Sequence, residues 1–77
     1  MKKVCQIKLG TINEVKEFVN IVTQCPYEVD LISGRYTIDA KSLMGIFSLD
    51  LTRPIDLAAD TEDVEDLLQK IDFCVVK

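Results

Sequence analysis

Apolar residues recur along this chain with two different periods, and the switches between those periods mark out its elements. Residues 4–9 alternate, with Cys5, Ile7 and Leu9 on one face and Gln6 and Lys8 on the other, before Gly10. A period of two is that of a half-buried strand. Ile12, Val15, Val19 and Val22 then follow at helical spacing, and Phe18 and Ile21 widen the stripe, which predicts a helix over residues 12–24 that stops before Pro26. Thr11 and Glu14 stand three apart at its start and match a capping box: the Thr11 hydroxyl takes the N–H of residue 14, and Glu14 reaches back to the N–H of residue 11.

Alternation returns over residues 27–33, and Ser33-Gly34 supplies a tight turn into a second run over residues 36–40, which predicts a β-hairpin. Ser42 can cap a short helix running from residue 43 to about 49. Residues 53–59 read as a strand with Pro54 tolerated at its start. Asp60 can cap a last helix with Val64, Leu67, Leu68 and Ile71 on one face and Glu62 and Asp63 in its first turn, near the positive end of the helix dipole. Residues 73–76 (Phe73, Cys74, Val75, Val76) match neither period, and their apolar character predicts a tail that packs against the body. The order is therefore β-α-β-β-α-β-α. Strands and helices that are apolar on one side bury those sides in two layers, so the expectation is an α+β domain over residues 1–77, a sheet covered on one face by three helices.

Composition narrows the function classes. With 77 residues, 48% apolar and 29% charged, the chain has room for one small core and lies outside the disordered regime. Its apolar runs fall short of the roughly 18 residues of a membrane span, and its start has no signal-peptide core, so the expected location is the cytosol. Residues 1–49 hold six Lys/Arg against five Asp/Glu, whereas residues 50–76 hold two against eight. An acidic final third with no basic stripe argues against nucleic acid as a partner. That acidity is either a solvated helix face or a docking surface for a basic partner. Cys5, Cys25 and Cys74 are odd in number and have neither disulfide nor zinc spacing, so reduced thiols are expected, with no metal and no cofactor. Cys25, Ser33, Ser42 and Ser48 lack a recognisable base beside them, Asp39 reads as a turn residue, and the three glycines are isolated, so an enzyme is not expected.

The run Lys41-Ser42-Leu43-Met44-Gly45-Ile46-Phe47-Ser48-Leu49 closely resembles the regulatory-serine helix of HPr, the phosphocarrier of the bacterial phosphoenolpyruvate-dependent sugar phosphotransferase system (PTS). The strict match is confined to these residues; elsewhere element order and length match better than residues do. The resemblance implies an HPr-like open-faced β-sandwich with a four-stranded antiparallel sheet. It also implies an active histidine at the start of the first helix, followed by Ala-Arg-Pro. This chain contains no histidine, and Thr11, Ile12, Asn13 and Glu14 stand on that segment. A capping box there satisfies the free N–H groups from within, and the Glu14 carboxylate repels an incoming phosphate by roughly 1 kcal/mol or more at a few ångströms.

What the resemblance retains is Ser42, which aligns with the serine that an ATP-dependent HPr kinase phosphorylates in many Gram-positive bacteria. A phosphoserine at a helix N-cap gains charge-assisted bonds to free N–H groups; unmodified, Ser42 is an ordinary cap worth about 1 kcal/mol. Behind it the helix is apolar nearly all round. Ile46 and Leu49 can face the core, which leaves Leu43, Met44 and Phe47, with Lys41 beside them, on a second face. Three covers fit that face: a protein partner such as a PTS or regulatory protein or an HPr-type kinase, the tail over residues 73–76, or a second copy of the chain. The expectation is thus a regulatory binding module acting through the Ser42 helix, or a scaffold or homodimer subunit that is never phosphorylated.

Overall fold

The computed structural model describes residues 2–76. Strand β1 (Lys2–Ile7) is followed by α1 (Ile12–Thr23), the hairpin β2 (Val29–Ser33) and β3 (Tyr36–Asp39), α2 (Leu43–Phe47), β4 (Ile55–Ala59), α3 (Val64–Lys70) and a 3-10 turn over Asp72–Cys74. The strands form one antiparallel sheet in the order β1-β4-β2-β3. The expected α+β architecture, with the helices on one face, is the one observed. Ile7, Val29, Leu31, Ile55, Leu57 and Ala59 from the sheet meet Val15, Phe18, Val22, Ile46, Leu67 and Ile71 from the helices in a single buried cluster. The other face of the sheet presents polar pairs: the Gln6 amide donates to Asp56 at 3.1 Å, and the Lys3 ammonium lies 3.1 Å from the same carboxylate.

Several boundaries differ from the pattern-based expectation. The first strand covers Lys2–Ile7 rather than residues 4–9, and its register against β4 shifts between Lys3 and Cys5. A bulge at this point adds a residue that strict alternation does not count, which is how Val4 and Cys5 both come to pack against the core. The hairpin turn is Gly34-Arg35, because Ser33 pairs with Tyr36. Gly34 has a φ of 60° and among the described residues no non-glycine has a positive φ, the pattern of a II′ turn with glycine first. The fourth strand starts at Ile55 rather than residue 53, since Pro54 has no N–H for the ladder.

The last helix is capped by Asp63, whose carboxylate takes the Asp66 N–H at 3.3 Å, and not by Asp60. Asp60 is still tied to the sheet, its N–H donating to the Glu28 carbonyl at 2.9 Å, and Thr61 accepts from the Asp63 N–H at 3.1 Å to form an intervening turn. The acidic first turn is therefore Glu65 and Asp66 rather than Glu62 and Asp63. The tail does pack, but onto β1: Val75 bridges Ile7, Cys74 accepts from the Lys8 N–H at 2.8 Å, and the Val76 N–H donates to Gln6 at 2.9 Å. All three cysteines are free. Burial pushes the Cys74 thiol up to about 12 and raises Cys5 as well, which keeps both protonated as small hydrophobes.

Candidate functional site

Helix α1 starts as a closed cap. The Thr11 hydroxyl accepts from the Glu14 N–H at 3.1 Å, as the Thr-x-x-Glu spacing predicts. The return bond differs by one residue: Glu14 Oε1 accepts from the Gly10 N–H at 3.1 Å and from the Thr11 hydroxyl at 3.3 Å, instead of from the Thr11 N–H. Gly10 permits this approach, since a Cβ there would stand 3.1 Å from that carboxylate oxygen. Asn13 is exposed, and Ile12, expected on the buried stripe, is 62% exposed. Val15, Phe18 and Val22 carry the burial of α1, so its buried face begins one turn later than the Ile12 periodicity suggests.

Helix α2 starts more openly. The Ser42 hydroxyl accepts from the Gly45 N–H at 3.2 Å, and no carboxylate stands in the first turn. The helix is only five residues long because Ser48 ends it, donating its hydroxyl to the Gly45 carbonyl at 2.6 Å, so the reach to residue 49 is not realised. Gly45 lies against β3 so closely that a Cβ would sit 2.7 Å from Ile38 Cγ2. This contact fixes which way the helix faces. Ile46 is buried and Leu49 half-buried, as expected, but Leu43 also packs partly against the core and leaves the exposed set. Met44 is 78% exposed and Phe47 38%, and the tail, paired with β1, leaves both accessible. Lys41 is held back toward α1, its ammonium donating to the Cys25 carbonyl at 3.3 Å.

The fold brings the start of α1 and the end of α2 onto one groove of about 590 Å³, whose walls include Lys8, Thr11, Ile12, Phe47, Leu51 and Thr52. Its apolar rim of Ile12, Phe47 and Leu51, with Met44 exposed on the same short helix as Phe47, draws on three segments that periodicity treats separately. Ile12 is missed by sequence reasoning because a helical stripe counts it as core. Leu51 is missed because it lies in a turn with no period at all. Among the described residues no group of three His, Cys, Asp or Glu could hold a metal ion, and no helix is long and apolar enough to cross a membrane.

A scan against protein-family models found no match, and a search of curated proteins found none either. Solved structures do match. HPr-C-His from Thermoanaerobacter tengcongensis is similar with a TM-score of 0.70 at 19% identity, over 94% of this chain and 83% of that one. Crh of Bacillus subtilis, described as a catabolite repression protein and an intertwined dimer with a swapped domain, gives 0.65 at 22% identity, over 100% of this chain and 95% of that one. At such identities the likeness speaks for architecture, and it agrees with the β-α-β-β-α-β-α order read above: this chain has the HPr-like fold.

Proposed function

We propose that this chain is a non-enzymatic protein-binding module of HPr type that works through the α2 surface and has left phosphate transfer behind. The single observation that carries the reading is the exposure of Ile12, Met44 and Phe47, with half-buried Leu51 lining the same groove as Ile12 and Phe47, on a chain with no histidine. Large apolar side chains exposed together in a small domain mark a surface that is covered by something else, and an adaptable methionine suits a protein partner. The expected partner is a PTS or regulatory protein, in the bacterial cytosol.

Ser42 is the modifiable position in this reading. It is exposed, and the bond its hydroxyl accepts from Gly45 is one that a phosphate oxygen can take over with added charge. A phosphate there would place its charge at the edge of an apolar surface, so it would alter which partner fits. One observation favours the alternative of a never-phosphorylated scaffold: Ser42 already has a structural task as the α2 cap.

Incubation with an HPr-type kinase and ATP is expected to add one phosphate, absent in Ser42→Ala. Capture of partners from native extract is expected to depend on Phe47 and to change with that phosphate. A capture that Phe47→Asp leaves intact would overturn the surface, and one indifferent to both kinase treatment and Ser42→Ala would leave the scaffold reading. Incubation with phosphoenolpyruvate and the phosphotransfer enzyme of the system is expected to give no acid-labile phosphoprotein.

A further inference from the structure

The two edges of the sheet are treated differently. Beyond β1 the chain lays its own tail, through the Ile7–Val75 bridge and the bonds of Lys8 and Gln6 with Cys74 and Val76. Beyond β3 no strand follows among the described residues. We propose that the β3 edge recognises a second copy of this chain, the two β3 strands pairing antiparallel about a twofold axis at Thr37 and joining the sheets.

The hydrogen-bonding direction of β3 sets that register. Ser33 and Tyr36 flank a two-residue turn, and in such a hairpin the flanking residues exchange backbone bonds with each other. Tyr36 and Ile38 therefore use their N–H and C=O groups on β2, and the series continues with the Ala40 N–H on the Val29 carbonyl at 2.9 Å. Thr37 and Asp39 point their N–H groups outward. The Asp39 carbonyl already accepts from the Ser42 N–H at 2.9 Å. In an antiparallel pair centred on Thr37, the two Thr37 residues exchange both bonds, and each Asp39 N–H meets the carbonyl of the partner's Arg35.

The side chains fit the same register. Read as Arg35-Tyr36-Thr37-Ile38-Asp39, the segment is its own complement when reversed. Arg35 stands opposite the partner's Asp39, Tyr36 opposite the partner's Ile38, and Thr37 opposite the partner's Thr37. These are an opposite-charge pair, an aromatic against a β-branched residue, and a Thr–Thr pair, three combinations that stabilise neighbouring antiparallel strands. Self-complementarity is what a twofold interface requires. A slip by one residue would set Tyr36 against the partner's Asp39 and turn the outward N–H groups away from their acceptors.

The groups are also available. Tyr36 is 70% exposed, Arg35 has no hydrogen bond or ion pair among the described residues, and Asp39 uses only Oδ1, on the Lys41 N–H at 2.9 Å. Edge strands are commonly guarded by Lys, Pro or a bulge; β3 has no Lys or Pro, and its register with β2 is unbroken. Four residues from each copy bury far less than the roughly 1,200 Å² of a lasting complex, so the dimer is weak and forms as concentration rises.

Sedimentation velocity from micromolar to millimolar protein tests this directly. The wild-type coefficient is expected to climb toward that of a dimer, with amide exchange at Thr37 and Asp39 slowing in step. Thr37→Pro deletes an outward N–H and spares the bonds to β2, so it should abolish association while the circular dichroism stays that of the wild type. Arg35→Glu should weaken association by about tenfold or more, since both symmetry-related contacts become repulsive, and the charge swap Arg35→Glu with Asp39→Lys should restore it. A chain that stays monomeric at millimolar concentration overturns the proposal. So does a dimer that survives Thr37→Pro and Arg35→Glu, since it would then use another surface, such as the α2 rim or an exchanged β1.

Discussion

In α1 the Thr11 hydroxyl takes the N–H three residues on at 3.1 Å, and in α2 the Ser42 hydroxyl does the same at 3.2 Å. From that shared cap the two helices diverge. The α1 start is closed a second time by Glu14 on Gly10, and twelve residues follow, with Val15, Phe18 and Val22 fully buried. The α2 start has no second acceptor, five residues follow, and only Ile46 is buried. One cap serves a helix that the core holds in place. The other serves a helix that turns two of its large apolar side chains, Met44 and Phe47, outward, which is the arrangement of a surface kept for contact.

The two phenylalanines break or sustain this contrast with the largest expected effect. Phe18→Ala empties a fully buried site in α1 and should cost about 3–5 kcal/mol, enough to threaten folding of a small domain. Phe47→Ala in α2 should cost less than about 1 kcal/mol, because 38% of that residue is already in water, while removing partner capture. Urea denaturation of both variants measures the difference. Equal losses would mean that Phe47 is core and that the contact surface lies elsewhere.

How far the contrast could be read from sequence depends on the scale of the interaction. The α1 cap was legible because Thr11 and Glu14 lie three apart and act within one turn. So was the outward turn of Met44 and Phe47, since a short helix that is apolar all round cannot bury every side. The Asp63 cap was not legible: Asp60 and Asp63 are equally good caps, and the choice is made by the Asp60 N–H bonding to Glu28, a residue more than thirty positions away. Similarly, the bulge in β1 and the docking of Val75 beside Ile7 depend on which strand comes alongside, and no local period encodes that. The groove shared by Ile12, Phe47 and Leu51 is of the same kind, built by tertiary contact from three segments.

Glycine substitutions sharpen the contrast at the next level of effect. At Gly45 a Cβ would meet Ile38 Cγ2 at 2.7 Å, a packed side chain on the neighbouring strand, so helix or strand must shift. Overpacking of this kind costs about 1–3 kcal/mol, offset in part by the ~1 kcal/mol helical advantage of alanine, which leaves a net loss of about 1–2 kcal/mol. At Gly10 a Cβ would meet only the far end of Glu14 at 3.1 Å, and Gly10→Ala should stay within about 0.5 kcal/mol. Thermal midpoints of the two variants check this order. A reversed order would mean that α2 can move on β3 and that its outward face is not held in one orientation.

The caps themselves give the smallest differences. Thr11→Ala and Ser42→Ala should each cost about 1 kcal/mol, with the α1 cap the costlier because losing the Thr11 hydroxyl also removes a donor to Glu14. That extra part is isolated by a double-mutant cycle of Thr11→Ala and Glu14→Ala in urea denaturation, for which a coupling of about 0.5 kcal/mol or more is expected. Glu14→Gln keeps an oxygen acceptor for the Gly10 N–H but removes the charge near the α1 N-terminus, so it should fall between wild type and Glu14→Ala, with a loss of about 0.3–1 kcal/mol that shrinks as salt is added. Independent losses at Thr11 and Glu14 would show two unconnected surface contacts and would remove the distinction between a doubly closed helix start and an open one.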